Sequence, residues 1–157
     1  MIIKKELEKE YSNDSELIEL CENTWGDYVR DMDEDVLHKL ISIQSHGLKR
    51  GISFDGSVIQ TYESEILRVP PVPFDIVVFR GGKIKVQDCP FLSASFYKSK
   101  ALDFARNNRF DLHTIIIRKG AKIIPSLYLW YPGSFSEKEV VLDVSKFHMR
   151  IGYYEYI

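Results

Sequence analysis

A chain of 157 residues, 45% hydrophobic and 28% charged, is long enough for one domain with a buried core and too apolar to stay disordered. Its net charge of -2 gives no basis for general binding to phosphate backbones, so nucleic acid is not an expected partner. Cys21 and Cys89 are too few and too far apart for a disulfide framework or a zinc-ligand pair, and read as free thiols in a reducing compartment. The opening Met1-Ile2-Ile3-Lys4-Lys5-Glu6 lacks the apolar core of a signal peptide. No run approaches the roughly 18 apolar residues of a membrane span, so the cytosol is the expected place of action.

In chain order, residues 4–30 carry a first helical pattern. Asn13 with Glu16 forms a capping box, and Leu17, Ile18, Leu20, Cys21 and Trp25 form an apolar stripe ending near Gly26. The acidic stretch from Asp31 to Glu34 suits the start of a second helix, with Val36, Leu37, Leu40 and Ile41 at helical spacing. Gly47 and Gly51 bracket a turn, and a third helix is expected from Asp55 to Leu67. Prolines 70, 71 and 73 then end helical structure. Phe74–Arg80 reads as a strand buried on both faces and closes in Arg80-Gly81-Gly82, where an arginine and a close backbone can meet an anion. Taken alone, an arginine there equally snorkels at a strand end.

Phe91–Ser95 is a short strand bearing Ser93 and Ser95, which alone read as helix caps. A helix from Ser99 to Arg106 follows, with Ala101, Phe104 and Ala105 on one face, then a loop at Asn107-Asn108-Arg109. Leu112–Arg118 is a strong strand, and Ile123–Pro125 with Leu127–Tyr131 reads as a further strand or edge piece. Val140–Val144 and an alternating strand over Phe147–Tyr156 complete the sheet. Helices first and strands later give an α+β chain: one domain over 1–157, with a helical layer at 1–68 and a sheet core at 69–157.

The stretch Pro132–Asp143 introduces the last sheet segments. Its Glu137-Lys138-Glu139 precedes the β-branched run Val140-Val141-Leu142, so Glu139 is expected on the first rung of a buried strand. Extended alternation points Glu137 and Glu139 the same way and Lys138 the other. Two carboxylates on one side form an anionic site suited to a cationic or polar ligand, although the triplet alone reads first as solvated charge. His38, His46, His113 and His148 have no metal-site spacing, and no phosphate-binding glycine loop occurs.

Three motifs now stand in order: Phe79-Arg80-Gly81, Phe91-Leu92-Ser93-Ala94-Ser95 and Glu137-Lys138-Glu139-Val140-Val141-Leu142. Together they resemble the arginine–serine–glutamate mono-ADP-ribosyltransferases, the class of the actin-modifying toxins and vertebrate ecto-transferases. Ala94 departs from that family's middle threonine. The resemblance covers Phe74 to the C-terminus and implies a split mixed β-sandwich behind the helical layer. It implies NAD as substrate, no metal, and transfer of ADP-ribose to an arginine of a target protein, by a phage, viral or bacterial effector.

By the same resemblance, Glu139, Glu137 and Ser93 are catalytic, with Ser93 hydrogen-bonded to Glu139. Arg80, Gly81, Phe91, Ser93 and Ser95 bind the cofactor. Glu137 recognises the acceptor together with Phe135 or Tyr131. NAD hydrolysis, transfer to nucleic acid or another side chain, and a module that only binds NAD or a partner are the alternatives.

Overall fold

In the computed structural model, which describes residues 8–46, 56–84, 90–107 and 111–157, the helical signals of the first 68 residues form three helices. Residues 4–7, the turn at 47–51, Asp55, Cys89 and residues 108–109 lie outside the described residues. Helix α1 (Asp14–Arg30) starts later than the pattern suggests, because Asn13 caps it. The Asn13 side-chain oxygen accepts from the Ser15 N–H at 2.8 Å and the Glu16 N–H at 3.4 Å. The described residues before the cap, from Glu8 on, are not helical and include a short strand, β1 (Lys9–Glu10). Gly26 does not end α1, which continues one turn further to Arg30, whose guanidinium pairs with Asp27 at 2.7 Å and Glu22 at 3.4 Å.

Helix α2 (Glu34–His46) and helix α3 (Gly56–Arg68) complete the layer. Leu17, Trp25, Leu40 and Tyr62 are fully buried, and the Tyr62 hydroxyl donates to the Leu40 carbonyl at 2.7 Å, joining α3 to α2. The proline stretch then turns the chain toward the sheet, with the Pro70 carbonyl accepting from the Trp25 indole N–H at 3.1 Å.

The sheet comprises β2 (Ile76–Gly81), β3 (Phe91–Ser95), β4 (Leu112–Ile117), β5 (Glu139–Asp143), β6 (Phe147–Met149) and β7 (Tyr154–Tyr156), together with β1. Its strand order is β5-β3-β2-β4-β7-β6, with β1 beside β2. The β1–β2 and β4–β7 pairs are parallel and the others antiparallel, so the sheet is mixed and the chain is α+β. Strand β1 pairs with Ile76 and Val77 on the edge of β2 opposite β4, and β3 touches that same edge through the single pair Phe79↔Ser95. The two halves of the sheet therefore diverge between β2 and β3. Strands β5 and β6 lie at opposite ends of the order, yet only the 3-10 turn Val144–Lys146 joins them, so the sheet must curl to bring its edges together.

Two segments differ from the sequence reading. The apolar run after Pro125 is one helical turn, α5 (Ser126–Leu129), and only Ile124 makes a strand-like bridge, to Val141. A short run buried all round carries no periodicity to separate helix from strand. The alternating 147–156 segment is a hairpin of β6 and β7 and not one strand. Gly152, at φ 83°, takes the left-handed turn, and the Arg150 N–H donates to the Tyr153 carbonyl at 2.9 Å.

Helix α4 (Lys98–Asn107) lies across β2 and β3 at the divergence. A Cβ on Gly81 would fall 2.1 Å from the Ala101 carbonyl oxygen and 2.4 Å from the Ala105 nitrogen. Gly81 is thus a glycine because the helix backbone rests directly on it. Among the described residues no helix is long and apolar enough to cross a membrane.

Candidate functional site

The divergence of β2 from β3 opens a narrow cleft. Its walls are Phe79, Arg80 and Gly81 of β2, Ser93, Ala94 and Ser95 of β3, and Ala101 and Phe104 of α4; Glu137 and Glu139 line it as well. Six residues singled out from the sequence, Arg80, Gly81, Ser93, Ser95, Glu137 and Glu139, thus converge on one small space.

Glu139 begins β5 opposite Ser95, as the β-branched run after it requires, and is 4% exposed. Its Oε1 is fully buried without a hydrogen-bond partner among the described residues. Burial first, and the neighbouring Glu137 charge second, push the Glu139 carboxyl up to about 8. The field of Glu139 also reaches Tyr62 of α3, whose hydroxyl burial holds well above the usual phenol range. Glu139 therefore stands at the junction of the sheet and the helical layer.

Arg80 is buried and fixed by two backbone carbonyls: its Nε donates to Lys83 at 2.7 Å and its Nη1 to Ser93 at 2.6 Å. The second bond spans the divergence between β2 and β3, where main-chain pairing has ended. Ser95 serves the loop before β5. Its Oγ donates to the Glu137 carbonyl at 3.0 Å and accepts from the Tyr97 N–H at 3.1 Å. Ser93 pairs in register with Val141, two residues along from Glu139, and no hydrogen bond joins its hydroxyl to Glu139.

Glu137 precedes β5 in an exposed turn, and Lys138 between the two glutamates has φ 51°. Strand alternation therefore does not relate the two carboxylates. A left-handed residue brings them to one cleft, with Glu137 at the open side and Glu139 inside. Lys138 does turn away from them, into a contact with Phe135 and Tyr97 that sequence periodicity has no means of signalling.

The remaining candidates lie apart from the cleft. Phe91 is a core residue at the far end of β3, packed at a tilt of 46° against Tyr62 with ring centroids 5.4 Å apart. Phe135 is buried, whereas Tyr131 is 44% exposed and lies between Tyr128 and Phe135 in a row of rings. Trp130, 64% exposed beside it, carries no motif and is visible only in the structure. Among the described residues no group of three or more His, Cys, Asp or Glu is placed to hold a metal ion. The chain matches no protein-family model and no curated protein sequence.

Proposed function

We propose that the chain is a mono-ADP-ribosyltransferase of the arginine–serine–glutamate type, with a split core of that kind, which uses NAD to modify an arginine of a target protein in the cytosol. The observation that carries this reading is the convergence of Arg80, Ser93, Ser95, Glu137 and Glu139, from three separate segments, on the cleft between β2 and β3. The buried Glu139 Oε1 without a partner fits the reading as well, because a ribose hydroxyl supplies the missing donor.

The reaction breaks the bond between nicotinamide nitrogen and ribose C1′, and the bonding pair leaves on neutral nicotinamide. The sugar becomes oxocarbenium-like, as in glycoside cleavage, and a carboxylate beside it stabilises that charge more than the ground state. Glu139 is this carboxylate. A cation in the cleft opposes the burial that holds Glu139 protonated, so the positively charged nicotinamide end of the substrate favours the ionised form. Arg80, held by the carbonyls of Lys83 and Ser93, presents a planar guanidinium to the phosphate side of the substrate. The acceptor guanidine nitrogen then bonds to C1′, and Glu137 at the open side of the cleft takes its proton.

The test is incubation of the purified chain with labelled NAD, with and without a cell lysate. The expected result is NAD loss and label on lysate protein, both reduced about 10²-fold or more in Glu139→Ala. Glu137→Gln is expected to cleave NAD and lose arginine labelling. Release of free ADP-ribose alone makes the protein a hydrolase, and a folded protein that consumes no NAD overturns the enzymatic reading.

A further inference from the structure

Lys138 has surroundings that this chemistry does not use. Its φ of 51° lies in the left-handed region, which side chains with a Cβ seldom enter. The side chain is 10% exposed, and its Nζ lies 3.8 Å from the centroid of the Phe135 ring and 5.6 Å from that of Tyr97. Asp14, the first residue of α1, closes this cage: its Oδ1 is 3.7 Å from Nζ and accepts a hydrogen bond from the Tyr97 hydroxyl. The backbone is fixed in the same place. The Phe96 N–H donates to the Lys138 carbonyl at 2.8 Å, and the Lys138 N–H to the Phe135 carbonyl at 3.1 Å. Among the described residues Lys138 forms its ion pair with Asp14 and with neither neighbouring glutamate. An ammonium on a flexible stem beside two carboxylates would ordinarily pair with one of them. Here the cage draws it to the opposite side of the turn.

We propose that Lys138 is a positioning residue for the glutamate pair: caged by Phe135, Tyr97 and Asp14, it holds the turn left-handed, sets Glu139 inside the cleft and Glu137 at its open side, and keeps a cation off both. As a statement about turnover this rests on the transferase reading; as a statement about geometry it does not. The clamp also ties the site to the helical layer, since Asp14 lies in α1 and Tyr97 follows β3.

The experiment uses the full chain with Lys138→Met, Lys138→Arg and Asp14→Asn. Asp14→Asn alters an exposed side chain and tests the cage without touching the turn. The deciding measurement is titration of the Glu139 carboxyl by carbon NMR of glutamate-labelled protein, assigned with Glu139→Gln; Glu137 and Tyr62 are the titratable groups that act on it or feel it. In Lys138→Met and Asp14→Asn the midpoint is expected to fall from about 8 toward the ordinary carboxylate range, while Lys138→Arg keeps it. In NAD cleavage the first two are expected to lose about 10- to 100-fold in kcat with KM little changed. An unchanged midpoint in both overturns the clamp. A wild-type protein that cleaves no NAD defeats the transferase reading, and the titration, which needs no NAD, decides the clamp regardless.

Discussion

A carboxyl group enclosed at the start of a strand, with one oxygen lacking a partner among the described residues and a second carboxylate nearby, resists ionisation, and this is the state of Glu139. Its folded value of about 8 lies above its ordinary 4.5. Between those values the folded chain holds a proton that the unfolded chain releases. The stability that Glu139 contributes is therefore fully present below about pH 4.5 and is lost as pH rises through about 8. Glu139→Gln stays neutral throughout. It is expected to match the wild type in urea denaturation at pH 5 and to exceed it by about 2–4 kcal/mol at pH 9. Equal stabilities at pH 9 would show that the ionised carboxylate is well solvated. The same titration runs through activity: kcat/KM for NAD is expected to rise as pH passes through about 8. Ionisation that destabilises the fold is what the proposed chemistry needs, so the best stability and the best activity should fall at different pH.

At the scale of elements, the contact of α4 with β2 decides whether the cleft keeps its width. Gly81 has no room for a methyl group, and what it would strike is helix backbone and not the end of a flexible side chain. Gly81→Ala must push α4 off the strand, at a cost of about 1–3 kcal/mol in a urea melt, and NAD cleavage is expected to fall with it because Ala101 and Phe104 form the opposite wall. A variant with wild-type stability would remove α4 as the reason for glycine at this position. Elements with strong local signals were legible in the sequence. Capping at Asn13 and helical spacing mark α1 to α3, and β-branched runs mark β2, β4 and β5. Elements defined by distant contacts were not. Strand β1 has two residues and exists through pairing with Ile76 and Val77. The left-handed turn at Lys138 packs its side chain against Asp14 and Tyr97, both far away in the chain. The cleft residues Arg80, Ser93, Ser95, Glu137 and Glu139 were legible because the order of their motifs is local information. Phe91 was not separable from them, since only the direction of β3 reveals that it lies at the core end.

For the whole molecule, strand order and curl lie beyond what any local pattern records, because they follow from which edges meet. The curl is closed by Tyr156, next to last in the chain and fully buried. Its hydroxyl donates to the Lys122 carbonyl at 2.7 Å and accepts from the Asp143 N–H at 3.2 Å, so β7 is fastened to the end of β5, the strand that begins with Glu139. Beside it, Arg118 pairs with Asp75 at 3.0 Å and Glu155 at 2.7 Å, but that network is partly exposed and screened by salt. The tyrosine side chain is fully buried and its bonds carry no net charge, and losing them leaves a carbonyl and an N–H without that partner. Tyr156→Phe keeps the ring contact with Phe147, 5.5 Å between centroids, and removes only the oxygen. It is expected to cost about 1–3 kcal/mol in urea denaturation, with a loss unchanged by added salt. Arg118→Ala should lose less, and its loss should shrink as salt rises. If Tyr156→Phe were as stable as the wild type, the curl would rest on the Val144–Lys146 connection and side-chain packing alone. Loss of stability without loss of NAD cleavage in the folded fraction would instead separate the clasp that closes the sheet from the cleft at its divergence.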